Sequence, residues 1–276
     1  MKLATYRYDD ATGPGAVVDG GIVDLRSLAP TLFDILSSDL VTRAAALARR
    51  GRVMPCELER LCAPIPLPRF FLGVGMNYRD HAIETCGPIG DCPTIFAKLA
   101  GAAAAPYSSV IRPVAVSTLD YEGELGVVIA HRCSQISVSD AARHVAGYVV
   151  VNDLTVRAYA RPETLVLAKS GATHGPFGPW ITTTSEINDP HKLTIRTWVN
   201  GELRQNSSTA QMQCNIWELI AHISAILPLE AGDIITTGSP AGSGAGQSPP
   251  RFLEPGDVVR VEIEGLGAIE NKVVAE

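Results

Sequence analysis

Two glutamates one residue apart, Glu122 and Glu124, stand in the stretch Asp120-Tyr121-Glu122-Gly123-Glu124-Leu125-Gly126-Val127-Val128-Ile129, which reads as a strand running into an apolar interior. Side chains alternate faces along a strand, so Asp120, Glu122 and Glu124 share one face. Carboxylates crowded beside a core are unfavourable unless a cation neutralises them. A hard divalent ion on oxygen ligands resolves the conflict; a strand with a solvated acidic face is the competing reading. Asp153 follows a second apolar run, Gly147-Tyr148-Val149-Val150-Val151, and is placed to join the two glutamates. Three carboxylates plus waters suit Mg²⁺ or Mn²⁺. The Cys and His spacing of a zinc site is absent, as is any sign of an organic cofactor.

His81 and Glu84, three apart, share a face if they lie on a helical turn. A carboxylate beside an imidazole orients it as a general base; a surface helix pair is the plainer alternative. Lys169 and Arg157 stand among small or apolar residues, where either could bind a carboxylate or an enolate oxygen or simply be solvated. The stretch Thr236–Gly246 is Gly-rich but lacks Gly-Lys-Ser/Thr, which excludes a P-loop. Its backbone N–H groups could still face an oxyanion. Gly73, Gly75 and Gly87 flank the His81 segment and hint at a mobile lid.

The elements that must hold these residues are short and β-rich. Residues 1–66 form a small leading unit, with a hairpin at Asp19-Gly20-Gly21 and a helix over about 40–50, N-capped by Asp39 and stopped at Gly51. Pro64, Pro66 and Pro68 make a stiff connector to a second unit, 67–276. There, Leu193–Val199 alternates and meets Asn200-Gly201, a type I′ hairpin signal. Ile216, Leu219, Ile220, Ile223, Ile226 and Leu227 mark an amphipathic helix over 215–227, with His222 on its exposed side. Leu229–Ile235 and Leu253–Val259 echo one another as Gly-containing turns feeding strands.

The 276 residues are 46 % hydrophobic, enough for a sizeable core, and the net charge of −6 argues against nucleic acid. Six scattered cysteines suggest no disulfide framework. The early charges of the N-terminus do not read as a signal peptide, and no apolar run is long enough to span a membrane. A cytoplasmic protein is expected.

Taken in order, the motifs resemble the fumarylacetoacetate hydrolase family from about Phe70 onward. They are Gly75-Met76-Asn77-Tyr78 with His81 and Glu84, Phe96-Ala97-Lys98, Asp120–Leu125, Gly147-Tyr148 with Asn152-Asp153 and Arg157, Lys169-Ser170, Gly178-Pro179-Trp180, Asn200-Gly201 with Gln205, and Thr237–Gly242. The leading unit looks like the small N-terminal domain of bacterial members. The resemblance implies a mixed α/β, β-rich fold, a folded-over mixed β-roll behind a small N-terminal α+β domain, assembled as a homodimer with one divalent cation per subunit. It implies Glu122, Glu124 and Asp153 as metal ligands, His81 and Glu84 as a water-activating dyad on a lid helix, and Lys169 as the active-site lysine. Asn77, Tyr78, Lys98, Arg157 and Ser239 are implied at the substrate.

Small 2-oxo or β-diketo acids are the substrates this resemblance implies. The expected reaction is hydrolysis of a C–C bond in an acylpyruvate-type acid through a metal-held enolate. Decarboxylation or keto–enol isomerisation on the same site is the alternative, and a non-catalytic metal or ligand binder is the rival of another class. The chain departs from the family pattern at Ala172, where an acid is usual, at Ala160, where Gln is common, and at Ser239, which replaces Thr. These changes predict an intact metal site with an altered, roomier pocket.

Overall fold

The computed structural model describes residues 1–85 and 94–276; the Gly87 of the lid reading lies outside them. The fold is mixed and strand-rich. A twelve-stranded sheet runs in the order Val53–Met54, Gly21–Asp24, Thr12–Val18, Lys2–Arg7, Gly175–Thr183, Val145–Asn152, Gly123–Ile129, Ile234–Thr236, Phe71–Gly75, Thr94–Lys98, with two short strands off this path. A five-stranded sheet of Glu202–Ser208, Thr194–Val199, Val258–Ile263, Gly267–Ala275 and Val110–Arg112 packs beside it. Most ladders are antiparallel; Ile234–Thr236 with Phe71–Gly75 is a parallel pair.

Alternation along Gly123–Ile129 sends side chains into two cores. Leu125, Val127 and Ile129 meet Ile195, Val261 and Ile269 of the five-stranded sheet and Leu219, Ile220 and Ile223 of the helix Ile216–Ser224. Val128, with Val149 and Val151 of the neighbouring strand, packs with Phe177, Leu3 and the helix residues Leu32, Ile35 and Leu36. Burial on both faces explains why these two central strands read as nearly continuous apolar runs. The strands of the 1–66 segment continue the same sheet, Lys2 pairing Thr182 and Leu3 pairing Ile181.

The hairpin at Asp19-Gly20 closes as expected, with Val18 opposite Gly21. At Asn200-Gly201 both residues have positive φ, 52° and 78°, which defines the type I′ turn. The echoed turns are the same device twice: Asp233 Oδ2 accepts from Glu230 N–H and Asp257 Oδ2 from Glu254 N–H, each at 2.8 Å.

Two expectations need correction. The early helix spans Val41–Ala48 with Leu40 as N-cap and no side-chain cap. Asp39 takes φ 53°, left-handed, whereas a capping residue is extended. Gly51 does close that helix, its N–H donating to Leu47 O at 2.7 Å. The later helix ends at Ser224, so Ile226 lies beyond it and is 84 % exposed. Its start is firm: Asn215 accepts from Trp217 and Glu218 N–H while Glu218 reaches back to Asn215 N–H. Asn215→Ala is expected to cost about 1 kcal/mol, read as a lower denaturant midpoint at unchanged slope.

Candidate active site and metal centre

Strand register builds the acidic cluster. Gly123 pairs Asn152 and Glu124 pairs Val151, which sets Glu122 opposite Asp153; Asp153 N–H donates to Glu122 O at 2.8 Å. Directly opposed residues in an antiparallel pair share a face, and a diagonal neighbour stays within side-chain reach. One carboxylate oxygen each from Glu122, Glu124 and Asp153 therefore lies within 4.8 Å of the others, all three buried. Asp120 continues the alternation, opposite Thr155, but points its carboxylate elsewhere in the cluster.

Cations surround these acids unevenly. Arg157 donates from Nε to Asp120 Oδ2 at 2.8 Å and from Nη2 to Glu122 Oε1 at 2.7 Å. The Lys169 ammonium bridges Glu122 Oε2 and Asp153 Oδ2, the latter at 2.6 Å. Lys98, fully enclosed, donates to Asp153 Oδ1 at 2.6 Å and to the carbonyls of Lys169 and His174. Thr155 Oγ1 donates to Glu122 Oε2 at 2.8 Å. Burial pushes the Glu122 carboxyl up, but Arg157 and Lys169 outweigh it and hold it well below the usual carboxylate range. Burial opposes the charge on Lys169 too, yet Asp153 and the glutamates raise its proton affinity.

Glu124 is the exception. It is buried, it accepts from Gly238 N–H at 2.9 Å, and among the described residues no lysine or arginine forms an ion pair with it. Burial first, then the Asp153 charge, push its carboxyl well above the ordinary value. Four carboxylates, Asp120, Glu122, Glu124 and Asp153, thus face three cations, Lys98, Arg157 and Lys169. An oxygen-only donor set with surplus negative charge at one corner fits a hard divalent cation.

His81 sits on the short helix Arg79–Glu84 and is almost fully buried. Its Nδ1 lies 3.2 Å from Glu84 Oε2, while Glu84 Oε1 accepts from Gly242 N–H at 2.8 Å. With Nδ1 donating to Glu84, Nε2 is left to take a proton. His81, Glu122, Glu124, Arg157, Lys169 and Ser239 all line one cavity of about 230 Å³. A larger open groove, about 550 Å³ between the Val41–Ala48 helix and Thr183–Ser185, holds none of them.

Other expected site residues are placed in the frame around that cavity. Asn77 spends its amide on the backbone, donating to Cys214 O and Thr237 O and accepting from Cys214 N–H. Tyr78 is enclosed in the core. Lys98 stands behind Asp153. These three are not on the cavity wall, and neither are Asp153 and Glu84, which reach it through Lys169 and His81. Ser239 Oγ accepts from Gln205 Nε2 at 2.9 Å. Four N–H groups of the Gly-rich loop are taken by the protein's own carboxylates: Gly238 by Glu124, Gly242 by Glu84, Gly244 and Ala245 by Asp120. Thr155, two residues beyond Asp153, was missed; the same alternation that found the glutamates would have flagged it.

The family model for the fumarylacetoacetate (FAA) hydrolase C-terminal region matches residues 71–274. The chain belongs to the fumarylacetoacetate hydrolase family. Oxaloacetate tautomerase FAHD2B of Bos taurus is 38 % identical over 288 residues, covering 99 % of this chain and 92 % of that protein. Among solved structures, fumarylacetoacetate hydrolase from Exiguobacterium antarcticum has a TM-score of 0.86 at 32 % identity, covering 100 % of both chains. Maleylpyruvate hydrolase from Sphingobium sp. SYK-6, in complex with manganese(II) ion and pyruvate, has a TM-score of 0.84 at 30 % identity, covering 100 % of this chain and 99 % of that one. The family resemblance read from the motifs is thereby established.

The uncompensated charge on Glu124 has a measurable sign. A carboxyl whose folded pKa is raised costs no stability below its unfolded value and costs progressively more as pH rises from there toward the folded one. Glu124→Gln is therefore expected to melt higher than the wild type at neutral pH in chelator, by roughly 2–4 °C per kcal/mol relieved. Added Mg²⁺ or Mn²⁺ should raise the wild-type melting temperature and leave the variant nearly unmoved. Differential scanning fluorimetry with and without metal reads both.

Proposed function

We propose that this chain is a divalent-cation-dependent keto–enol tautomerase of a small 2-oxo acid whose α-carbon also neighbours a second carbonyl. The observation that carries the reading is the cavity where Glu122, Glu124, His81 and Lys169 meet, with Asp153 bonded to Lys169 and completing the carboxylate trio. The identity to a protein named oxaloacetate tautomerase supports it. Glu122, Glu124 and Asp153 would hold Mg²⁺ or Mn²⁺, which when bound supplies Lewis-acid polarisation of a carbonyl.

The chain's own groups do the rest. His81 Nε2 takes the proton from the substrate α-carbon; the C–H electron pair becomes the C=C bond, and the carbonyl π pair moves to oxygen as an enolate. Glu84 keeps the imidazole aligned and balances the charge it gains. Lys169, immobilised between Glu122 and Asp153, is a fixed positive charge on the wall as negative charge grows on oxygen. The imidazolium then returns the proton to that oxygen, giving the enol. Arg157 keeps Glu122 oriented and ionised.

Hydrolysis of a C–C bond is the second reading, favoured by the anchoring of the His81–Glu84 pair on Gly242 N–H, which also suits removal of a proton from water. Products separate the two. The tautomerase reading expects metal-dependent exchange of the α-hydrogen of oxaloacetate or an acylpyruvate with D₂O, followed by NMR, without stoichiometric pyruvate release. Pyruvate release from an acylpyruvate at the rate of its consumption would establish hydrolysis instead. His81→Gln is expected to slow the exchange by about 10²–10⁴-fold, the range for a lost general base, with Mn²⁺ affinity retained; an unchanged rate would remove His81 from the reaction.

A further inference from the structure

Gln205 is fully buried on the strand Glu202–Ser208 of the five-stranded sheet and is not on the cavity wall, yet its amide joins two parts of the site. Its Oε1 accepts from Gly123 N–H, the backbone amide between the two cluster glutamates, at 2.9 Å. Its Nε2 donates to Ser239 Oγ and to Pro240 O, each at 2.9 Å. This approach requires glycine at 123: a Cβ there would lie 2.3 Å from Thr197 Oγ1 and 3.2 Å from Gln205 Oε1.

Two backbone groups of fixed polarity set the orientation of that amide. Gly123 N–H can only donate and Pro240 O can only accept, so a flipped amide would meet like with like at both. Both amide hydrogens are then committed, and Ser239 Oγ has to accept one of them. The hydroxyl keeps its own hydrogen. Among the described residues its acceptor is Pro240 O, at a long 3.3 Å, and Gln205 already engages that oxygen at 2.9 Å. Ser239 is on the cavity wall, so an anionic oxygen arriving there can take the hydrogen in a shorter, stronger bond. Resting on the 2-oxo-acid reading above, we propose that Gln205 is a positioning residue that does not itself touch substrate. It fixes Ser239 as a hydrogen-bond donor toward an oxygen of the 2-oxo acid group. Without the Gln205 amide, the hydroxyl is free to turn fully onto Pro240 O.

The test is a double-mutant cycle, read by calorimetric binding of pyruvate to the Mn²⁺-loaded protein. Ser239→Ala is expected to weaken pyruvate binding by about ten- to a hundredfold, the range for a hydrogen bond to a charged group. Gln205→Met, similar in length but with neither amide donor nor amide acceptor, should weaken it at least about fivefold when Ser239 is present and less than about twofold in the Ser239→Ala background. Equal losses in the two backgrounds, or an affinity untouched by Ser239→Ala, overturn the proposal. Neutron diffraction from perdeuterated wild-type crystals with Mn²⁺ and pyruvate reads the same point without a variant. The Ser239 deuteron is expected on a pyruvate oxygen; a deuteron on Pro240 O, or a flipped Gln205 amide, overturns it. If pyruvate fails to bind the wild type, the 2-oxo-acid reading falls and this role with it. Pyruvate binding without coupling between the two positions removes the role of Gln205 alone.

Discussion

Four carboxylates held out of water at the ends of two central strands are the constraint that everything else in this structure answers. A buried ion costs several kcal/mol even after the surroundings relax, so each must be met by a cation or by aligned N–H groups. Asp120 is met by Arg157 and three backbone amides. Glu122 is met by Arg157, Lys169 and Thr155. Asp153 is met by Lys98 and Lys169. Glu124 receives one backbone N–H and the charge of its neighbours. The surplus is located at one oxygen corner open to a cavity, which is where a divalent cation gains most.

The same bonds tie His81 to the carboxylate corner. Glu122 is joined through Arg157 to Asp120, and Asp120 to the amides of Gly244 and Ala245. Two residues before Gly244 in that loop, Gly242 N–H holds Glu84, which aligns His81. Four N–H groups of a loop that could cradle a ligand's oxyanion are instead taken by carboxylates of the protein, so it acts as a brace between strand and helix. That brace helps bring His81 and Lys169, from distant segments, to one small cavity.

Much of this was legible before any coordinates. The i, i+2 spacing of Glu122 and Glu124 beside an apolar run marked the cluster, because side-chain alternation and the cost of burying charge leave few alternatives. The His81–Glu84 spacing placed the dyad for the same kind of reason. The type I′ turn at Asn200-Gly201 and the twin Asp-anchored turns followed from local chemistry. What the chain did not disclose was pairing: that Arg157 and Lys169 would be consumed by carboxylates depends on register between strands, which no local pattern encodes. Asn77 and Tyr78 likewise fell to the frame because long-range contacts with Cys214, Thr237 and the core decide their exposure. The Leu32–Ser37 helix was passed over although Thr31 and Asp34 spell its capping box. Asp39 was misread because residue type favours an N-cap without fixing φ.

The central claim is that one hard cation sits among Glu122, Glu124 and Asp153. Anomalous diffraction at the manganese edge, from crystals grown with Mn²⁺, tests it most directly. The account predicts one strong peak per chain, at about the 2.1 Å typical of tight octahedral oxygen sites from an oxygen of each of the three residues. A peak held by other side chains, or density for Lys169 filling that position with manganese present, would contradict it.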